Sequence, residues 1–395
     1  MVDTAASAAL NGPTPLPTVS HAESFSLVSL PGQLGPLLAA LDRAPEVSID
    51  TEADNLFRYR TRVCLMQIYA AGETFLLDLL AGVPLDPLWE RLRCKHLIMH
   101  GSDYDLRLLY EEYGFVATSV FDTMLAAQLL NRPRFGLASL LQDHFGVALA
   151  KEGQKANWSK RPITDKLLNY AAKDVLFLPR LRDLLLAELE QHGRVDWLRQ
   201  KCDWQIRAAL SGFPKPDENS WRIGKSEHLR GRGLCVLHDL WHWREKQAER
   251  IDTPPFKVVG NDMLLHLAAA ADHGEALDAF AGLHLGKRER IRDSFERALR
   301  AGLDRDPASL PRRRSNGGDR APLSARELER QERIREARDR EAKRLNLDPT
   351  LIASRAQLAL LAREPEKLGE ILLPWQARLL ENSEAFAPEA KERAE

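Results

Sequence analysis

Val47-Ser-Ile-Asp-Thr-Glu-Ala53 decides how the first half of the chain reads. Val47–Asp50 is a short β-branched run after a helix-like stretch, Leu34–Leu41, and it predicts a strand. Two acids, Asp50 and Glu52, close it with one residue between them. Side chains alternate along a strand, so the two carboxylates share a face. Downstream, Val63–Tyr69 and Thr74–Leu77 are apolar segments split by Ala71-Gly72, which predicts strand, tight turn, strand. His96–His100 predicts a further strand, with a helix from about Asp103 to Tyr113. Ser119–Phe121 is short and extended, and Asp122 or Thr123 then caps a helix through Leu130. Thr164 opens another helix that reaches Asp174, and Pro179 should bend or interrupt it. Residues from about Phe25 to Leu198 thus form one α/β unit.

The chain has 395 residues, more than one ordinary core holds, so two or three domains are expected. No apolar run approaches the roughly 20 residues a membrane span needs. Met1–Val19 has no basic stretch leading into an apolar core and reads as a tail rather than a signal peptide. Cys64, Cys94, Cys202 and Cys235 are scattered, which argues against a disulfide framework or zinc site and fits a reducing cytoplasm. With 56 Lys+Arg against 57 Asp+Glu, total charge does not point to nucleic acid; only its local distribution can.

From about Ser226 strands give way to helical periodicity. Arg244-Glu-Lys-Gln-Ala-Glu-Arg250 matches Arg338-Asp-Arg-Glu-Ala-Lys-Arg344 in type at most positions. At the same offset Pro255 falls on Pro349, Leu264 on Leu358 and Leu267-Ala268 on Leu361-Ala362. The offset is too long for a solenoid repeat and suggests a duplicated small helical domain; convergence of two Arg/Glu/Ala helices is the alternative. Pro307–Pro322, with Arg312-Arg-Arg314 and Gly317-Gly318, reads as a basic linker. The boundaries expected are a tail over 1–22, a catalytic unit over 23–200, a helical domain over 226–305, a linker over 306–322 and a second helical domain over 323–395.

Singly, the candidate chemical residues have ordinary explanations. Acid-x-acid pairs at strand ends are mostly solvated. An acid in the first turn of a helix caps free N–H groups; Asp103 fits that role better than Asp105, and Asp122 is read as a cap. Tyr170 and Asp174 are four apart and share a helix face, as a core Tyr and a surface Asp also would. Together they are more specific: strand Asp-x-Glu, then helix Asp, then helix Tyr-x-x-x-Asp.

That order resembles the DEDD exonucleases, in the subclass with Tyr. His100-Gly-Ser-Asp-Tyr-Asp-Leu106, Val120-Phe-Asp-Thr123, Trp158-Ser-Lys-Arg-Pro-Ile163 and Tyr170-Ala-Ala-Lys-Asp-Val175 are similar to the ribonuclease D branch. Gly233-Leu234 through Trp241-His-Trp-Arg244, Pro254-Pro-Phe256 and Asn261–Leu267 resemble the HRDC (helicase and RNase D C-terminal) domain. The copy around Arg338–Leu380 resembles a second, degenerate one, without the aromatic pair and the Pro-Pro-Phe element. The resemblance implies an α/β ribonuclease H-like catalytic domain with a mixed central sheet, followed by two small all-α HRDC-like domains.

It also implies a metal-dependent 3′-5′ exoribonuclease that releases 5′-mononucleotides from RNA with a single-stranded 3′ end, tRNA precursors among them. Phosphodiester cleavage puts negative charge on the attacking and leaving oxygens, and two divalent ions about 3.5–4 Å apart stabilise it. Mg²⁺ or Mn²⁺ suits such a site, since Mg²⁺ takes oxygen ligands. By resemblance Asp50 bridges both ions, Glu52 and Asp174 hold the ion beside the attacking water, and Asp105 supports the other. Tyr170 orients the water; an ordinary phenol titrates near pH 10, too high for a simple base. His100, Trp158 and Arg161 are substrate-binding candidates, Arg161 for a phosphate and Trp158 for stacking or for anchoring its loop. Thr51 and Leu56 lie beside the terminal nucleotide if the family geometry holds. Trp241, Trp243 and Phe256 read as HRDC core rather than a stacking surface, and Lys287-Arg288, Arg290 and Arg292 are candidates for backbone contact. A monomer is expected. The same chemistry on DNA, or an inactive nucleic-acid scaffold, stays open. The HRDC pair and the lack of a helicase module favour RNA, and the intact set of acids favours catalysis.

Overall fold

The computed structural model describes residues 24–149, 153–276, 279, 291–312 and 322–386. The chain divides into two compact units. One comprises Met1–Glu52, Val63–Phe213 and Ala321–Glu395; the other comprises Ala53–Arg62 and Pro214–Arg320.

The first unit is built on a six-stranded sheet: β1 (Ser26–Val28), β2 (Glu46–Ala53), β3 (Val63–Ala70), β4 (Glu73–Asp78), β5 (His96–Met99) and β6 (Ser119–Asp122), in the order β1-β4-β3-β2-β5-β6. The β3–β4 pair is an antiparallel hairpin, turned at Ala71 and Gly72 with positive φ at both, as the Ala-Gly pair predicts. β1 runs parallel to β4, β2 to β5, and β5 to β6, so the sheet is mixed. Val47, Ser48 and Ile49 on β2 are buried. Burial fixes the strand's register. The polar residues that follow lie beyond the last ladder pair with β5, Ser48 beside Ile98.

Helices α1 (Leu34–Arg43) and α3 (Asp103–Tyr113) pack on β3, α6 (Asp165–Leu176) on β3 and β4, and α7 (Leu178–Gln191) on β5. Between α1 and α3 lies α2 (Asp86–Leu92); α4 (Thr123–Leu129) and α5 (Leu137–Phe145) follow β6, and α8 (Val195–Ala209) packs on β6 and α3. Asp122 caps α4, accepting from the N–H groups of Met124 and Leu125. Thr164 caps α6 through Leu167 N–H. Pro179 interrupts helicity as expected: α6 ends at Leu176, and Pro179 sits in the first turn of α7, where its missing N–H costs nothing. Asp103 is not the cap expected of it. Ser102 holds the N-cap position, and Asp103 pairs with Arg107 one turn on.

In the second unit, α9 (Gly231–Arg250), α10 (Pro255–Val258), α11 (Asn261–Asp272) and α12 (Arg292–Asp304) enclose Trp221, Val236, Leu240, Trp243, Leu264, Phe295 and Leu299. Trp241 and Trp243 are buried, Trp243 edge-on to Phe295. Phe256 departs from the core reading: it is 54% exposed. Ala53–Arg62 belongs to this unit, with Arg58 paired to Asp252 at 2.6 Å and Lys257 Nζ 4.1 Å from the Phe57 ring centroid. Arg292 opens α12; Lys287, Arg288 and Arg290 lie outside the described residues.

The C-terminal helices α13 (Ala325–Leu345), α14 (Pro349–Ile352) and α15 (Arg355–Arg363) repeat the order long helix, single turn, helix of α9, α10 and α11. The likeness reaches single hydrogen bonds. Arg244 Nη1 donates to Val259 O, and Arg338 Nη1 donates to Ala353 O, the same positions in the repeat. Each arginine also pairs with the acid after it, Glu245 or Asp339. Two short helices follow, α16 (Leu368–Ile371) and α17 (Pro374–Leu380). These C-terminal helices cluster with the first unit rather than standing apart. Trp197 on α8 stacks on Trp375 at 4.5 Å, Gln200 Oε1 accepts from Trp375 N–H at 3.0 Å, and Arg194 donates to the carbonyls of Leu129 and Leu345. Among the described residues no helix is long and apolar enough to cross a membrane, and all four cysteines are free.

Candidate active site

Asp50 and Glu52 stand where β2 emerges from its ladder, and Asp174 stands on the last turn of α6, which packs on the neighbouring β3 and β4. One carboxylate oxygen from each lies within 4.8 Å of the others. Asp105 is outside this group: its Oδ1 accepts from Thr51 Oγ1 at 2.5 Å. Thr51 points away from its two acidic neighbours, as strand alternation requires. Its hydroxyl holds Asp105. Leu56 falls in the segment that belongs to the second unit.

Three buried or half-buried carboxylates at such separations cannot all carry charge unaided. Burial, reinforced by the Asp174 charge, pushes Asp50 up to about 8. Burial and the charges of Asp50, Asp174 and Asp105 push Glu52 to about 10. Asp174 rises to about 7 through burial, opposed by the hydrogen bond from Tyr170. Asp105 is raised well above the usual carboxylate range by burial and Asp50. A cluster this costly to ionise calls for compensating positive charge, and the three clustered carboxylates suit hard divalent cations.

Tyr170, one turn before Asp174, hydrogen-bonds to it. Burial and the adjacent carboxylates push its phenol far above pH 10, so the hydroxyl stays protonated. The ring packs against Trp158, centroids 6.2 Å apart, and against the backbone of Gly153. A Cβ at Gly153 would come within 2.3 Å of that ring, so glycine is required for the tyrosine to lie there. The same ring, with Leu149, Gly153, Lys166, Asn169 and Lys173, lines a cavity of about 520 Å³.

Arg161 does not face an open phosphate site. It grips Asp78 through Nε (2.7 Å) and Nη2 (2.6 Å) and donates to the carbonyls of Cys64, Trp158 and Lys160. All five donors are engaged, and the residue fastens the Trp158 loop to β3 and β4. Trp158 is 2% exposed, with its Nε1 buried and unpartnered, so it anchors the loop and presents no face for stacking. His100 is half-buried, its Nδ1 2.9 Å from Thr123 Oγ1, and burial lowers its pKa. Asp122, nearby, accepts from the N–H groups of Gly101 and Ser102 besides capping α4, which fixes the turn between β5 and α3. Sequence reasoning missed Gly153 and Asp78. Asp78 ends a strand, and neither position carries a local signal.

A mixed sheet with strand Asp-x-Glu, a helix Asp and a helix Tyr-x-x-x-Asp is the arrangement that the resemblance to DEDD exonucleases implies. A profile described as 3′-5′ exonuclease matches residues 28–190, and one described as HRDC domain matches residues 234–295. The ribonuclease D of Jannaschia sp. is 30% identical over 280 residues, 69% of this chain and 70% of the relative. That of Gluconacetobacter diazotrophicus is 29% identical over 367 residues, 91% and 92% of the two chains. The crystal structure of Escherichia coli RNase D, described as an exoribonuclease involved in structured RNA processing, shares the fold with a TM-score of 0.66 at 22% identity, covering 91% of this chain and 99% of that one. The chain belongs to the ribonuclease D family. It is a 3′-5′ exoribonuclease, a phosphodiester hydrolase.

Proposed function

We propose that the protein shortens RNA from a single-stranded 3′ end one nucleotide at a time, releasing 5′-mononucleotides, and that it acts as a monomer with tRNA precursors among its substrates. The observation that carries this reading is the convergence of Asp50, Glu52 and Asp174 within 4.8 Å, with Tyr170 bonded to Asp174. Two Mg²⁺ or Mn²⁺ ions would be held by Asp50, Glu52 and Asp174, with Asp105 supporting, and would stabilise the charge that builds on the attacking and leaving oxygens.

The chain's own groups have separable tasks. β2 and α6 are rigid elements that hold the carboxylates at fixed spacing. Asp174 accepts from Tyr170 and thereby orients the phenol. Because the phenol keeps its proton, it positions the attacking water by hydrogen bonding and does not act as the base. Thr51 fixes Asp105, and Gly153 and Trp158 fix the Tyr170 ring.

The test is degradation of matched 5′-labelled single-stranded RNA and DNA with Mg²⁺, with Mn²⁺ and with EDTA, beside Asp50→Asn. A ladder shortening from the 3′ end of RNA, lost in EDTA and in the variant, is expected. DNA cut faster than RNA would replace the substrate assignment, and binding without any metal-dependent cleavage would make the chain a scaffold.

A further inference from the structure

His100 has one committed nitrogen and one open one. The Thr123 hydroxyl has a single proton, which it donates to Met99 O at 3.0 Å. Toward His100 the same oxygen can then only accept, so at 2.9 Å the proton is on Nδ1. In the neutral tautomer with its proton on Nδ1, the ring carries its lone pair on Nε2. Nε2 has no partner among the described residues and is not sealed from solvent.

The sheet register indicates which neighbours His100 has across the strands. β2 and β5 are parallel, with Glu46 beside His96 and Ser48 beside Ile98. Carried two residues past its last pair, the same register would bring His100 level with Asp50, on the side of β2 that also carries Glu52. On the other side, Ile98 pairs with Phe121, and continuing two residues sets His100 beside Thr123, as their hydrogen bond requires. On that register the side of β2 beside Asp50 would carry a neutral nitrogen acceptor as well as the acids. A phosphate offers no proton to such an acceptor; a sugar hydroxyl does. The 2′-hydroxyl is the group that separates RNA from DNA.

We propose that His100 reads the sugar: its Nε2 accepts a hydrogen bond from a ribose 2′-hydroxyl at the 3′ end of the substrate and so favours RNA over DNA. The inference rests on the proposed assignment of the acids as the cleavage site. The hydroxyl belongs either to the terminal nucleotide or to the one before it, and the two sources are separable.

The experiment measures kcat/KM in Mg²⁺ on three 5′-labelled oligonucleotides: all-ribose, 2′-deoxy at the terminal position only, and 2′-deoxy at the penultimate position only. Wild type is compared with His100→Asn and His100→Gln. Asn keeps a donor near Nδ1 for Thr123 but has no acceptor at Nε2; Gln places its amide oxygen near Nε2. Wild type should favour ribose by about three- to tenfold at one of the two positions, the size of one neutral hydrogen bond. His100→Asn should bring that ratio to about one, and His100→Gln should keep most of it. Wild-type indifference to both deoxy substitutions, or a His100→Asn that slows all three substrates equally, overturns the proposal while leaving the cleavage site standing. If wild type shortens none of the three, the site assignment falls, and the proposal with it.

Discussion

Replacing Glu52 with Gln should make the metal-free protein more stable while removing its activity. The Glu52 carboxyl is held at about 10, against about 4.5 when free in the unfolded chain. Between those values the native state binds a proton that the unfolded state has lost, so stability falls as pH rises. Each unit of pH across this window costs up to about 1.4 kcal/mol for one group. From pH 4.5 to 8 the ceiling is therefore about 5 kcal/mol, and water and counter-ions in an open cleft reduce it to about 1–3 kcal/mol. Gln carries no charge and removes the penalty. For a unit of this size the gain is a rise in Tm of about 3–10 °C at pH 8, and almost nothing at pH 5. Thermal melts in EDTA at the two pH values read it directly. Saturating Mg²⁺ or Mn²⁺ should cancel or reverse the difference, since the wild type gains binding energy that the variant has lost. A Glu52→Gln protein with the same Tm as wild type in EDTA at pH 8, or with an equal gain at pH 5, would refute the reasoning.

Tyr170→Phe should lower kcat by about a hundredfold or more while the stabilisation by Mg²⁺ in a thermal melt stays intact; a wild-type rate would remove Tyr170 from the chemistry. Gly153→Ala pushes a methyl into the Tyr170 ring and should reduce kcat at least severalfold without changing the metal-induced shift in Tm; an unchanged kcat would mean that the ring position is immaterial. Arg161→Lys breaks the two-pronged grip on Asp78 and should destabilise the first unit by about 3 kcal/mol, with the salt dependence of KM unaltered. A loss of RNA affinity at undiminished Tm would restore Arg161 to a phosphate-binding role.

The parts of the site that were legible in sequence are those whose geometry is local. Alternation along β2 puts Asp50 and Glu52 on one face, and helical spacing puts Tyr170 and Asp174 on another, so each pair is visible from a few residues. Bringing the pairs together takes the order of the motifs, which the resemblance supplied. Legibility ends where the partner is distant. Asp78 lies 83 positions from Arg161, and an arginine in a loop before a Pro looks the same whether it awaits a phosphate or is already taken. Thr51 entered only through the family resemblance, and no local pattern shows that its hydroxyl holds Asp105, 54 positions away. Phe256 shows the opposite failure. An aromatic after two prolines reads as core, yet the single turn of α10 leaves it outside. The repeat was visible as residue types, but the shared Arg-to-carbonyl bond within it was not, because a carbonyl leaves no mark on sequence.

The docked C-terminal helices carry a consequence for how the chain can be divided. A helical module joined only by its linker would drift away once that linker were cut. Here the stacked Trp197 and Trp375, the Gln200 oxygen under the Trp375 N–H and the Arg194 bridge between Leu129 and Leu345 all cross from the exonuclease core to the C-terminal helices. Each of these contacts has a side chain on at least one side, and none needs the backbone to be continuous between the two parts. A gene split between Gly317 and Gly318 should therefore yield two polypeptides that purify as one particle, each the missing wall of the other. The first piece produced alone should behave as an incomplete fold, not as a shorter enzyme.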